Sequence, residues 1–160
     1  MRLNYFIIPL FTVAVAVIGS TFTSGGMPWY DTINKPSFTP QGSVIGMVWT
    51  IIFILSTISA IIVWNSHAPF GSIPRDYRFV AIISIFLLNG FLNVFWSYLF
   101  FNRYLMYAAI WEAIALDITV IVLMVLIWGI SRWASLLLLP YACWTAFASF
   151  LTYTVYSLNR

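Results

Sequence analysis

Two amides and an indole lie on one stripe of an apolar stretch. Asn89 and Asn93 are four residues apart, and Trp96 follows Asn89 by seven residues, so the three side chains share one face of a helix. An amide in hydrocarbon needs hydrogen-bond partners, and each Asn offers two donors and an acceptor. The favoured interpretation is interhelical glue, which is common in helix bundles. The alternative is a polar wall that orients a ligand.

Two acids interrupt another apolar stretch, Glu112 and Asp117. Charge is costly in hydrocarbon, so an intramembrane acid is by default a functional-site hypothesis. The two are five residues apart, about 140° round a helix, so their side chains do not form a paired-carboxylate device. Two interpretations stay open: neutral acids hydrogen-bonded to neighbouring helices, or part of a functional site.

Tryptophans form a third group, with eight of them in 160 residues. Trp144, Ala148 and Leu151 follow one another at helical spacing, and a small residue one turn after a large ring leaves a recess beside the indole. Trp49 is a similar large ring within another apolar stretch. Each indole alone is typical of a core or of a membrane-interface belt. Together, on three helices and below the aromatic segment 24–42 discussed below, the tryptophans predict a mostly apolar pocket with a few polar groups.

Several kinds of chemistry are excluded by what the sequence lacks. It contains no nucleophile with its base, no cluster of metal ligands and no phosphate loop. We therefore expect no metal site, no required cofactor and no conventional catalytic apparatus. The net charge is +3 without a basic run, so nucleic acid is not an expected partner.

The elements that position these residues must be membrane helices. Hydrophobic residues are 62% of the chain and charged residues 7%, against about a quarter charged in soluble domains. The apolar runs are long and do not alternate, which favours helices that span lipid over a barrel. We predict an all-α integral membrane protein whose residues 1–160 form a single domain. It is a five-transmembrane-helix bundle with helices at about 4–23, 43–64, 77–100, 104–129 and 134–157.

The longest connection in this scheme is residues 24–42, between helices one and two. Its glycines and prolines, Pro28, Pro36 and Pro40, predict that no regular helix forms there. Long loops often act as lids, whereas a free linker has no use for exposed aromatic side chains. Because the segment contains Trp29, Tyr30 and Phe38, we predict a lid rather than a linker.

The basic loop residues predict the orientation in the membrane. Arg2, Arg75, Arg78 and Arg132 fall on one side, and Lys35, Arg103 and Arg160 fall on the other. The positive-inside rule then favours a cytoplasmic N-terminus, by four residues against three, with the first loop outside.

Three segments resemble one known family: WYDTINKPSFTPQGSVIGMVWT (29–50), LLNGFLNVFWSYLFF (87–101) and LPYACWTAFASFLTYTVYSLN (139–159). They are similar to segments of the translocator protein family, whose bacterial members are called tryptophan-rich sensory proteins. Its animal members were named peripheral-type benzodiazepine receptors. The resemblance covers nearly the whole chain and is to the bacterial type, which implies the bacterial cell membrane as the location.

The resemblance implies a five-helix bundle, often a homodimer, with a pocket closed by the first loop. That pocket would bind protoporphyrin IX, haem and related tetrapyrroles, with a ligand carboxylate at the rim near Lys35. Sterol-like and synthetic aromatic ligands bind some members. Carried over by motif, the pocket residues are Trp29, Tyr30, Trp49, Asn89, Asn93, Trp96, Trp144, Ala148 and Leu151.

The same resemblance leaves three functions open. The first is a receptor-like protein in tetrapyrrole homeostasis or stress sensing. The second is a transporter of porphyrin or sterol. The third is light-dependent porphyrin breakdown, in which Trp49 and Trp144 would be the redox-active side chains.

Overall fold

The structure, a computed structural model, describes residues 3–67 and 77–160, and these residues form helices joined by short connections. Five segments are long and apolar enough to cross a membrane, as predicted. The protein is therefore an all-α integral membrane bundle with five candidate spans. Its elements are α1 (Asn4–Tyr30), α2 (Gly42–His67), α3 (Tyr77–Ser97), a π-helical turn (Tyr98–Asn102), α4 (Met106–Trp128), α5 (Arg132–Leu136) and α6 (Leu139–Leu158).

The spans pack as a closed ring. α1 contacts α2 on one side and α3 on the other, and α4 lies between α3 and α6. α5 and α6 together make the fifth span, which closes the ring against α2. Side chains on the inner faces of the ring meet one another, while the outer faces are left to lipid.

The buried apolar core has two parts. One lies towards α5 and includes Ile52, Val63, Ile82 and Leu123, and the other surrounds Phe100 at the π-helical turn. Large apolar side chains are also exposed along every span, as expected where lipid is the solvent.

Three tryptophans lie on the outer surface: Trp111, Trp128 and Trp133 are 58%, 49% and 78% exposed. Trp111 and Trp128 stand near opposite ends of α4, about 25 Å apart along its axis at the usual helical rise. That separation is close to the thickness of the hydrocarbon layer. These indoles therefore match the aromatic belts at the two membrane interfaces.

The predicted loop over residues 24–42 is wrong, because α1 continues to Tyr30 and leaves only residues 31–41 as a connection. The glycine expected to break the helix instead allows close packing, since a Cβ at Gly26 would overlap the backbone carbonyl of Phe101. Pro28 removes one hydrogen bond only in the last turn. That turn is closed by the Asp31 amide, which donates to the Met27 carbonyl at 3.0 Å.

The other predicted boundaries agree closely with the structure except in the third and fifth spans. The third continues through the π-helical turn to Asn102, after which Tyr104 adopts a left-handed backbone with φ of 57°. The fifth span is two helices separated at residues 137–138. The break precedes Pro140, which lacks an amide hydrogen and is favoured in the first turn of a new helix.

Candidate functional site

A hydrogen-bond network joins three spans in the middle of the ring. The Tyr141 hydroxyl on α6 donates to Asn89 Oδ1 at 2.9 Å and accepts from Asn93 Nδ2 at 2.9 Å. Asn89 Nδ2 also donates to Thr119 Oγ1 on α4 at 2.8 Å. Asn89, Asn93 and Tyr141 are all buried. The two amides therefore do act as interhelical glue, and the network holds their side chains in fixed positions.

Tyr141 is the residue that the sequence interpretation missed, and two predicted site residues pack round it. The Trp49 ring stands edge-on to the Tyr141 ring with centroids 6.0 Å apart. The Trp144 ring lies beside the Phe147 ring, with centroids 5.4 Å apart. The buried indole nitrogen of Trp144 has no hydrogen-bond partner. Both tryptophans are half-buried against the core part that contains Tyr141. A signal was present, since a phenol within an apolar membrane span needs a polar partner.

A second group of predicted residues gathers at the π-helical turn. Trp96 stacks on Phe100 with centroids 5.2 Å apart, and Trp29 stands edge-on to the same ring at 5.6 Å. The Tyr30 and Phe101 rings have centroids 5.6 Å apart, and Leu151 packs against the same part of the core. Trp29 and Tyr30 thus belong to the last turn of α1 and do not lie in a loop.

Eight of the nine predicted side chains are therefore placed in two groups, one about Tyr141 and one about Phe100. Ala148 is half-buried on α6, between Trp144 of the first group and Leu151 of the second. The carbonyl of Ala148 accepts a hydrogen bond from Thr152 Oγ1 at 2.8 Å. α6 thus links the two groups, as α3 does through Asn93 and Trp96.

The connection 31–41 lies against the far end of α6. The backbone N–H of Asn34 donates to Asn159 Oδ1 at 2.9 Å, and Asn159 Nδ2 donates back to the backbone carbonyl of Asn34 at 2.9 Å. Phe38 stacks on Phe150 with centroids 5.7 Å apart. Because α1 packs mainly against α2 and α3, a connection that starts at α1 and reaches α6 crosses one end of the ring.

Lys35 is already engaged at that end. Its Nζ donates to the Tyr30 carbonyl at 2.7 Å, lies 4.7 Å from the centre of the Tyr30 ring and 3.9 Å from Asp31 Oδ1. A lysine in this position satisfies a free carbonyl at the C-terminus of α1. A ligand carboxylate at Lys35 would have to compete with these contacts.

The two acids of α4 differ in their surroundings. Asp117 Oδ1 accepts a hydrogen bond from Thr145 Oγ1 on α6 at 2.6 Å, which fits the first interpretation of an acid bonded to a neighbouring helix. Glu112 is only 7% exposed, and neither carboxyl oxygen has a hydrogen-bond partner. Within residues 3–67 and 77–160, no group of three or more His, Cys, Asp or Glu side chains is placed to hold a metal.

Comparison with known proteins agrees with the resemblance described above. The model of the TspO/MBR family matches residues 7–157. The chain is 32% identical to the tryptophan-rich protein TspO of Bacillus cereus over 99% of each chain. It is 38% identical to the protein of that name from Archaeoglobus fulgidus, over 94% of this chain and 93% of the relative. The human translocator protein is 28% identical over 94% of this chain and 88% of its own.

Proposed function

The chain belongs to the TspO/MBR family, and we propose that it is a receptor-like membrane protein that binds tetrapyrroles inside its five-span ring. The ligand would be protoporphyrin IX or haem, and the role would be tetrapyrrole homeostasis or stress sensing. One observation carries the proposal. Trp49 and Trp144 lie on the inner side of the bundle beside Tyr141, whereas the belt tryptophans face lipid.

The inner surface suits a flat, apolar ligand with few polar atoms. Aromatic pairs contribute about 0.5–1.5 kcal/mol each beyond the burial of their area, so two inner indoles would add about 1–3 kcal/mol to the binding free energy. The Trp144 indole N–H is a buried donor without a partner, and such groups are rare unless water or a ligand pairs with them. The connection 31–41 crosses the end of the ring, where it would shield a bound ligand from water.

Visible absorption titration of the purified protein with protoporphyrin IX and with haem tests the proposal. The double variant Trp49→Phe with Trp144→Phe should weaken binding by about tenfold, because each phenyl ring offers a smaller stacking surface than indole and the free Trp144 N–H donor is removed. The matched control is Trp111→Phe with Trp133→Phe, which changes two lipid-facing indoles and should leave the affinity unchanged. Equal affinities for the wild type and the inner double variant would refute the pocket.

Light-dependent porphyrin breakdown is a second candidate, because the Trp49 and Tyr141 rings lie in contact and are the side chains most easily oxidised by an excited pigment. Illumination of the protein–porphyrin complex in aerated buffer should then give a new pigment, and the inner double variant should not produce it. Stable binding without turnover favours the receptor role. Porphyrin flux across sealed vesicles would instead identify a transporter.

A further inference from the structure

Because α3 and α4 run antiparallel, a second donor, the Trp96 indole N–H, and a second acceptor, the Glu112 carboxyl, come to the same height in the bundle. Asn89 of α3 bonds Thr119 of α4. Trp96 follows Asn89 by seven residues, and Glu112 precedes Thr119 by seven, so each has moved two turns in the same spatial direction. Seven residues also return a side chain to nearly the same helix face. The register therefore places Trp96 and Glu112 at one level on α3 and α4, although no hydrogen bond joins them.

Neither of these two groups is satisfied. The Trp96 indole nitrogen and both Glu112 oxygens are buried without a hydrogen-bond partner. The other acid of α4, Asp117, does have one in Thr145. Leaving a buried donor or acceptor unpaired costs about 1–3 kcal/mol, more if the group is charged. Such a cost in a native protein points to a partner that the chain itself does not supply.

The Glu112 carboxyl belongs to the interior of the ring. Its side chain is buried on α4, the helix that packs between α3 and α6. Trp96 is on the same side, because its ring stacks on Phe100 in the buried core at the π-helical turn. The unpaired pair thus lies in the interior, at the second group of predicted site residues, to which Trp96 belongs, and not at the lipid surface.

The charges of the described residues decide what kind of group fits there. Acids stand inside α4, whereas every basic side chain lies at an end of a span or beyond it: Lys35, Arg78, Arg103, Arg132 and Arg160. A ligand carboxylate beside Glu112 would meet another acid in a medium of low polarity, with no cation to offset it. A hydroxyl group fits both partners, since its hydrogen donates to the carboxyl and its oxygen accepts from the indole N–H.

We propose that Trp96 and Glu112 form a subsite for a neutral, hydroxyl-bearing edge of the tetrapyrrole, and that Glu112 excludes a carboxylate from the same place. This inference rests on the proposed function and extends its ligand class from protoporphyrin IX and haem, which carry vinyl groups at that edge, to tetrapyrroles with hydroxyl groups there. The ionised edge of the ligand then lies towards an end of the ring, where the basic residues are.

Three porphyrins that differ at only one edge test the subsite. Protoporphyrin IX, haematoporphyrin IX and coproporphyrin III share a macrocycle and two propionates, and carry two vinyl, two 1-hydroxyethyl or two further propionate groups opposite them. Titrations in one detergent, with empty micelles as the partition control, should rank the hydroxyethyl porphyrin tightest and the tetracarboxylate weakest. The hydroxyethyl-to-vinyl affinity ratio should be about 5–10, the effect of one net hydrogen bond.

Variants assign that ratio to the two residues. Glu112→Leu should bring the ratio to about one. Glu112→Gln keeps a carbonyl acceptor, so it should retain part of the ratio and bind the tetracarboxylate better than the wild type does. Trp96→Phe retains an aromatic ring for stacking but removes the N–H, and should also lower the ratio. Asp117→Asn is the matched control, since Asp117 is bonded to Thr145, and it should leave the ratio unchanged.

The possible failures are distinct. If no porphyrin binds the wild type, both the proposed function and the subsite are wrong. If all three bind but the hydroxyethyl groups give no gain, or the ratio survives in Glu112→Leu, only the subsite is wrong. Circular dichroism and thermal unfolding of each variant identify any that fail to fold. In that case the more conservative Glu112→Gln and Trp96→Phe variants decide the outcome.

Discussion

Tyr141 organises the polar interior at the scale of single residues. One hydroxyl group both donates and accepts, and so it connects α6 to two amides of α3. The spacing of Asn89 and Asn93 shows that they share a face, but it does not identify their partner on a distant span. Hydrogen bonding between spans depends on rotation and register, which a single sequence does not specify. The sequence therefore predicted the amides and missed the phenol between them.

We expect Tyr141→Phe to destabilise the bundle by about 1–3 kcal/mol, because Asn89 Oδ1 and Asn93 Nδ2 would lose their bonds while the ring volume is kept. The control is Tyr153→Phe on the same helix, where the side chain is exposed and the change should be small. Unfolding of both variants in mixed micelles measures the difference. Equal stabilities would show that the network contributes nothing.

At the scale of elements, the end of α1 shows where composition misleads. Glycine and proline close together in the sequence usually predict a turn. In this protein, however, Gly26 is the point at which α1 touches the backbone of the π-helical turn. The information that decides between the two outcomes lies in the partner segment near Phe101, far along the chain. The five spans themselves were predictable because their apolar length is a local property.

Neighbouring glycines of α1 provide a matched pair of substitutions. Gly26→Ala should cost about 1–3 kcal/mol, since the new methyl group meets the rigid Phe101 backbone. Gly25→Ala meets nothing within 4 Å and should be neutral or stabilise the helix by up to about 1 kcal/mol. Thermal unfolding in detergent provides the comparison. A Gly26→Ala protein as stable as Gly25→Ala would contradict the close approach of the two segments.

The orientation of the whole molecule rests on its basic residues. Arg78 and Arg132 lie at one end, where Arg78 donates to the Leu126 carbonyl at 2.9 Å and Arg132 lies 5.8 Å from the Trp128 ring. Arg2 and Arg75, which complete that side of the prediction, lie outside the described residues. Lys35 is at the opposite end.

We expect the end with the connection 31–41 to face outwards from the cell. Ser37→Cys and Tyr77→Cys, each in a Cys143→Ser background, place one thiol at an exposed position at each end. A membrane-impermeant maleimide should label the Ser37 variant in intact cells, and the Tyr77 variant only after lysis. The reverse pattern would invert the predicted topology.

The unequal hydropathy of the spans has a consequence for biosynthesis. α4 carries both acids, yet it has the highest mean hydropathy of the five spans, 2.4, while the broken fifth span has the lowest, 1.6. An acid near the centre of a helix raises its cost of entering the bilayer by about 2.5–3.5 kcal/mol on insertion scales, and the apolar residues of α4 offset that cost. The fifth span is less hydrophobic and finds polar partners in α4, through Thr145 and Asp117, and in α3, through Tyr141 and the two amides. Newly made chains should therefore commit α4 to lipid before the last segment, which should leave the translocon stably only when α3 and α4 are already beside it.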